Sequence, residues 1–365
     1  MPEKVTGRMD RAWRAKSPSA LRPVSVAYGW LTRARNLLYD HQVFKTLWLD
    51  VPVISVGNLT TGGTGKTPTV IYVAELLQAM GYMPGVVLRG YGAKRGEFSD
   101  EELLLRQQLA AVPIVANPDR PAAARRAVGQ SAQVLIADDA FQHRRLGRDL
   151  NICLIDATCP FGYEAMLPAG RLRERPEELR RADLVIVTRS DQVAAQALDE
   201  VCRRIGRYCP GSPILTSSHL PRELVDLDGF STELTYLHDR AVVAFAGIGR
   251  PESFYESLSR LGARVVDRVS FADHHDYSGQ DLSDLEDRRR RSGAELLVCT
   301  SKDVVKLDPR VLMSAGVDPR RISALSIAIR FSSDDERVLR SMLRERIEGF
   351  GRCIAERSWI SGSAS

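Results

Sequence analysis

The 365-residue sequence predicts a doubly wound α/β fold with a mainly parallel sheet, on three observations. Short apolar runs recur at 51–56, 84–88, 112–116, 134–137, 152–155 and 184–188, separated by helical stretches. The runs are continuous rather than alternating, as expected of strands buried on both faces. The first run, VPVISV, leads directly into the glycine-rich segment GNLTTGGTGKTP at 57–68. Strand–helix alternation of this kind builds a parallel sheet whose ligand site lies at the carboxyl ends of its strands.

The glycine-rich segment has the composition of a phosphate-gripping loop. Consecutive glycines let the backbone curl so that several N–H groups point at one anion. Lys66 can reach the outer phosphates of a nucleotide, and the Thr67 hydroxyl can ligate Mg²⁺. A helix expected over Thr69 to Met80 aims its positive end at the same place. The candidate nucleotide-binding set is therefore Gly57, Asn58, Thr60, Thr61, Gly62, Gly63, Thr64, Gly65, Lys66 and Thr67. The generic pattern G-x-x-x-x-G-K-[ST] has glycine where this chain has Thr60, so Gly62, Gly63 and Gly65 must supply the flexibility. The bland alternative is a glycine-rich turn with a chance Lys-Thr.

A second block of the same character begins near 240, with VVAFAGIG at 242–249, a helix at 251–261, RVVDRVSF at 264–271, ELLVCT at 295–300 and ALSIAI at 324–329. It reads as a smaller α/β domain. The expected organisation is a basic amphipathic segment at 1–50, a P-loop domain at 51–225, a smaller domain at 226–350 and a tail at 351–365, with the Pro- and Gly-bearing stretch 210–240 as the connection.

Apolar residues at 44% and charged residues at 27% exclude a disordered chain. The six cysteines include no C-x-x-C pair, which argues for reduced thiols rather than a disulfide frame or zinc site. Residues 1–50 hold nine Lys/Arg against four acids, which equals the whole net charge of +5. That imbalance suggests an anionic surface, lipid head groups or nucleic acid. The same segment carries Ala27, Trp30, Leu31, Ala34 and Leu38 at helical spacing. Such a helix either lies on a membrane or packs on the domain with solvated arginines. No apolar run approaches the roughly 20 residues needed to span a bilayer. The first 20 residues lack the apolar core of a signal peptide.

Further candidates follow the strands. VLIADD at 134–139 ends a buried run in Asp138 and Asp139, which can hold Mg²⁺ directly or through water, or form a turn. LPAGRLRE at 167–174 sets Arg171 and Arg173 beside a glycine turn; guanidinium forks suit phosphate oxygens, and a surface salt-bridge cluster is equally consistent. Arg120, in NPDRP, has the same standing. FADHHDY at 271–277 offers metal ligands, one histidine tuned by a carboxylate, or surface polarity. TRSD at 188–191 is a weak match to a guanine-reading element, with Arg189 in place of its lysine.

Taken in order, these elements resemble the tetraacyldisaccharide 4'-kinase family, the lipid A 4'-kinases of Gram-negative bacteria. The matching segments are PVISVGNLTTGGTGKTP (52–68), RGYG (89–92), SDEELLL (99–105), DDAFQHRRLGRDL (138–150), LPAGRLRE (167–174), AFAGIGRPESF (244–254), FADHHDYS (271–278) and TSKDVVKL (300–307). The resemblance implies a P-loop NTPase-like fold, the cofactors ATP and Mg²⁺, and phosphorylation of the 4'-hydroxyl of tetraacyldisaccharide 1-phosphate to the bis-phosphorylated lipid A precursor, lipid IVA. It implies peripheral work at the cytoplasmic face of the inner membrane, with an acylated glucosamine disaccharide 1-phosphate and an anionic bilayer as partners, no nucleic acid, and no obligate protein partner. A basic, Trp-bearing N-terminal helix fits that setting.

Residue by residue, Lys66 and Thr67 match the family's phosphate-loop lysine and magnesium-binding threonine, and Asp138 and Asp139 its acidic metal-site pair. Asp100 matches the aspartate that takes the sugar hydroxyl's proton, and His274 the histidine paired with it. Arg120, Arg173 and Glu174 match positions lining the site, and Arg173 is expected to help neutralise the γ-phosphate. Ala140, Ser301 and Ser99 depart from the usual glycine, glutamate and glycine. Asp100 falls in the expected first domain and His274 in the second, so their pairing is expected to require closure on ATP binding. Two rivals are a P-loop GTPase or metallochaperone, separated by GTP selectivity, and a membrane-bound ATPase switch, separated by the lack of an acceptor.

Overall fold

The computed structural model describes residues 19–90 and 98–350. Residues 1–18 of the basic segment, Tyr91 and Gly92 of RGYG, and the tail at 351–365 lie outside the described residues. In chain order the elements are α1 (Arg22–Asp40), β1 (Val53–Asn58), α2 (Lys66–Ala79), β2 (Pro84–Leu88), α3 (Asp100–Gln108), β3 (Ile114–Ala116), α4 (Arg120–Gly129), β4 (Val134–Asp138), β5 (Leu150–Asp156) and β6 (Leu184–Thr188). They continue with α5 (Ala195–Tyr208), β7 (Ile214–Val225), β8 (Ser231–Thr232), β9 (Ala241–Ala246), α6 (Pro251–Arg260), β10 (Arg264–Ser270) and α7 (Gly279–Ser292). The last are β11 (Leu296–Thr300), α8 (Ser301–Val304), α9 (Pro309–Ser314), β12 (Ile322–Phe331) and α10 (Ser333–Glu348).

The chain divides into two compact units. Among the described residues, the larger takes 19–90, 109–219 and 329–350; the smaller takes 98–108 and 220–328. This differs from the two consecutive blocks expected from sequence. Residues 98–108, which include α3, leave the larger unit to join the smaller. Helix α10 returns to the larger unit, where Asp335 accepts hydrogen bonds from the Thr216 amide at 3.2 Å and its hydroxyl at 3.1 Å.

In the larger unit the strand order is β7-β6-β5-β1-β4-β2-β3, and every recorded pairing is parallel. Strands β1, β2, β4 and β6 are buried at every position, which is what their continuous apolar runs demanded. Strand β1 lies between β4 and β5; the chain runs from β1 to β2 on one side and from β5 to β6 on the other, so the connections leave these neighbouring strands in opposite directions. That is the switch point at which such sheets open a crevice.

In the smaller unit the order is β10-β9-β11-β12, again parallel, with β8 antiparallel to the end of β7. Its core packs Val243, Phe245, Leu282, Leu285, Leu297 and Cys299 on one face of the sheet. Strands β7 and β8 occupy the stretch expected as a connection. Their residues, ILTSSHLPRELV in β7, carry no continuous apolar run, because the strand alternates between buried and half-buried positions. The five described cysteines are free.

Candidate active site

The glycine-rich loop starts from β1 and ends at α2, whose first residue is Lys66 rather than the expected Thr69. Lys66 and Thr67 thus occupy the first helical turn, where backbone N–H groups have no partner within the helix. Gly65 caps the helix in the left-handed region, at φ 88° and ψ 20°, and Gly62 turns at φ 105°. A Cβ at Gly65 would lie 2.6 Å from the His219 ring, so conformation and space both require glycine. Burial, with Arg189 nearby, pushes His219 down to about 3, so it is neutral in water of ordinary pH.

Thr60, which replaces a glycine of the generic pattern, forms an antiparallel bridge with Leu172. The Thr61 amide donates to the Arg171 carbonyl at 2.8 Å, and the Arg173 amide to the Leu59 carbonyl at 2.8 Å. The loop therefore begins as extended strand, which threonine adopts without strain. The same pairing brings LPAGRLRE alongside the loop. Asn58 donates to the Thr64 hydroxyl at 2.8 Å, and Thr188 donates to the Thr64 carbonyl at 3.0 Å. Gly57 lies inside β1, where a Cβ would meet Phe141 at 2.7 Å; its place is packing behind the loop.

Arg189, at φ 55°, bonds the Gly63 carbonyl at 2.7 Å and forms an ion pair with Asp156. The TRSD arginine thus straps the loop from the β6 side, a contact no local pattern signals.

Asp138 ends β4 opposite Val56 of β1. Asp139 follows in the left-handed region at φ 47°, so the turn that usually falls to glycine is made one residue earlier and Ala140 stays fully buried. Arg173 donates to both Asp139 oxygens, at 2.9 and 2.8 Å, and Lys66 Nζ stands 3.7 Å away. Burial by itself would raise the Asp139 carboxyl, but Lys66 and Arg173 outweigh it and hold it at about 2. Arg120 is buried and donates to the Asp138 carbonyl; burial lowers its own pKa.

Glu174 is a buried hub. It accepts from Arg35 and Asn36 of α1, both at 2.8 Å, from Gln142 at 3.2 Å and from Arg181 at 2.5 Å. Gln142 also donates to the Asn58 carbonyl at 2.8 Å. The Glu174 carboxylate, partly through Gln142, ties α1 and the loop's first residues to the segment that carries Arg173.

In the smaller unit His274 Nδ1 meets Asp100 Oδ2 at 3.1 Å. Both residues belong to that unit, so the pairing does not depend on closure between two domains, as the sequence had suggested. His274 sits in the left-handed region at φ 62°, its amide donating to the Gly247 carbonyl at 3.2 Å. The hydrogen bond to Asp100 raises the His274 pKa against its burial. Burial would raise Asp100, but the His274 bond and Lys306 bring it below the usual carboxylate value. Ser99 accepts the Glu102 amide at 3.3 Å and so starts α3 without a glycine.

His275 pairs separately, with Asp281 at 3.1 Å, and stacks on Phe271 at 4.6 Å between ring centroids. Among the described residues no group of three or more His, Cys, Asp and Glu is arranged to hold a metal. The DHHD segment is therefore two separate histidine–carboxylate pairs rather than a metal nest. Ser301 donates to the Leu325 carbonyl at 3.2 Å.

A glycine cradle at the switch point of a parallel sheet, with lysine opening the following helix, defines the larger unit as a P-loop nucleotide-binding fold. The comparisons narrow that class. A family model described as tetraacyldisaccharide-1-P 4'-kinase matches residues 18–348. The tetraacyldisaccharide 4'-kinase of Syntrophus aciditrophicus is 40% identical over 338 residues, covering 84% of this chain and 90% of that protein. That of Geobacter metallireducens is 40% identical over 314 residues, covering 80% and 89%. A crystal structure described as an "apo" form of LpxK from Aquifex aeolicus in complex with ATP superposes with TM-score 0.71 at 32% identity, covering 90% of this chain and 99% of that one. The chain belongs to the tetraacyldisaccharide-1-P 4'-kinase family.

Proposed function

We propose that this chain transfers the γ-phosphoryl group of ATP to the 4'-hydroxyl of tetraacyldisaccharide 1-phosphate, giving the bis-phosphorylated lipid A precursor. Family membership over nearly the whole chain carries the reading, and the residue geometry supports it.

Phosphoryl transfer asks the protein for position and charge neutralisation. In the larger unit, the amides from Gly62 to Thr67 cradle the phosphates, with Lys66 and Arg173 beside the outermost one. Asp139 keeps both cations aimed before nucleotide arrives. Thr67, Asp138 and Asp139 are hard oxygen donors, too few to enclose a metal. That suits Mg²⁺, which keeps phosphate and water oxygens in its shell. When bound, the ion neutralises charge on the phosphates.

In the smaller unit Asp100 accepts the hydroxyl proton. The His274 and Lys306 contacts both fall on Oδ2, which favours Oδ1 as the oxygen that takes the proton. His274 holds the carboxylate ionised and oriented; the proton passes late, as the new P–O bond forms.

Helix α1 is the reading's membrane element. Its buried residues are Ser25, Gly29 and Asn36, a narrow polar and small strip. Ala27, Trp30, Leu31, Ala34 and Leu38 are all exposed, Trp30 by 63% and Leu31 by 71%. The helix thus turns its apolar side outward, as interfacial helices do, while Arg22 and Arg33 are exposed on it. No described helix is long and apolar enough to cross a membrane. The reading places the protein peripherally at the inner membrane's cytoplasmic face.

The test is incubation with γ-labelled ATP and acylated disaccharide monophosphate, followed by chromatography of the lipid fraction. Label must appear in a bis-phosphorylated lipid, with ATP preferred over GTP. Phosphate release without labelled lipid would instead favour an ATPase switch.

A further inference from the structure

Lys306 lies two residues beyond α8 and is almost wholly buried, its side chain 6% exposed. Its ammonium has four neighbours. It stands 3.2 Å from Asp303, donates to the His275 carbonyl at 3.1 Å, lies over the Tyr277 ring at 5.4 Å from the centroid, and reaches within 3.8 Å of Asp100 Oδ2. Asp303 is itself completely buried, accepting from the Gly247 amide at 3.2 Å, Tyr277 Oη at 3.0 Å and Thr300 Oγ1 at 2.6 Å.

Burying an ammonium and a carboxylate costs several kcal/mol per ion, and an apolar pair of the same volume serves stability equally well. What the ion pair adds is a cation held at a fixed place. That place is against the Asp100 oxygen that already binds His274, and next to the carbonyl of the residue after His274. The loop there needs such a restraint, since His274 itself is held at φ 62°.

We propose that Lys306 is a positioning residue for the Asp100–His274 pair: its charge orients the carboxylate from below, and its bond to the His275 carbonyl sets the loop that carries the imidazole. The inference rests on the reading of Asp100 as the base. Asp303 and Tyr277 act one step further back, by orienting the ammonium. The segment TSKDVVKL thereby gains a role that does not involve the side chain of Ser301.

Kinetics of the full chain with ATP and the lipid acceptor across pH 5 to 9 test the proposal. The charged groups facing Asp100 are His274, Lys306 and Lys302; Asp273 and Glu101 face His274. Removing the cation leaves burial less opposed, so in Lys306→Met the acid limb of kcat/KM moves up by about one pH unit. In the same variant kcat at neutral pH falls roughly 100-fold, the cost of a misplaced base, while KM for ATP is unchanged. Lys306→Gln keeps a donor for the His275 carbonyl and separates charge from loop placement: it shifts the limb with a smaller loss of kcat. Lys306→Arg keeps the charge and leaves the limb in place.

A folded Lys306→Met enzyme with the wild-type pH profile and kcat overturns the inference. Loss of fold in both uncharged variants overturns it too, by confining Lys306 to the Asp303 pair. Asp100→Asn is the separate control. If it stays active the reading of Asp100 fails first; if it is inactive while Lys306→Met is normal, only the inference about Lys306 fails.

Discussion

Single residues decide how the phosphate loop is made. Gly65 combines a left-handed backbone with a ring packed against its Cα. Gly65→Ala should destabilise the fold by about 1–3 kcal/mol from backbone strain alone, and abolish nucleotide-induced stabilisation in a thermal melt. Thr60 and Ala140 show the converse, that a glycine of the usual pattern is dispensable where the neighbouring backbone is extended or the turn is moved to Asp139. His274 makes a pH prediction. Its pKa is raised in the fold by Asp100, so the stabilisation it gives is fully present below the ordinary value near 6.5 and is lost as pH rises through the raised one. Urea unfolding of the wild type and of His274→Asn should differ more at pH 5.5 than at pH 9. The half-exposed site limits the difference to below about 1 kcal/mol. Equal differences at the two pH values would count against the pair.

At the scale of elements, the proposed reading gives the two faces of α1 separate tasks. Its inner strip holds the Glu174 hub through Arg35 and Asn36, and Ser25 accepts the Ala169 amide at 2.9 Å. Asn36→Ala removes a partner of a buried carboxylate and should lower stability by about 1–3 kcal/mol, with kcat falling because Arg173 adjoins Glu174. Trp30→Ser with Leu31→Ser changes only exposed side chains. It should leave the melting temperature within a degree or two, yet weaken sedimentation with anionic vesicles severalfold. Unchanged vesicle binding would remove α1 as the membrane element.

At the scale of the whole molecule, the units are not consecutive in sequence. Residues 98–108 and 220–328 form one, and the chain returns to it within β7 and leaves it within β12. A fragment of residues 226–350 therefore lacks α3 and the whole of β7, and carries α10 without its partner strand. It should show no cooperative thermal transition by circular dichroism; a sharp transition would show that the sequence-based boundary is a folding boundary after all. In the intact chain, ATP at 100 times its Kd should stabilise the native state by about 2.7 kcal/mol.

The parallel strands, the cradle, Lys66 and Thr67 were determined by the sequence itself. Burial on both faces and a grip on phosphate each demand particular residue types within a few positions of one another, and such demands are visible locally. Strand β7 was not, because half-buried alternation and flanking Pro and Gly resemble a connection. The family resemblance paired Asp100 with His274, but the tertiary structure alone decided that these residues, 174 positions apart, share one unit. It alone decided that Arg189 straps the loop and that Lys306 stands behind the Asp100 carboxylate. These pairings join charged side chains from remote segments, and a charge carries no periodicity that names its partner.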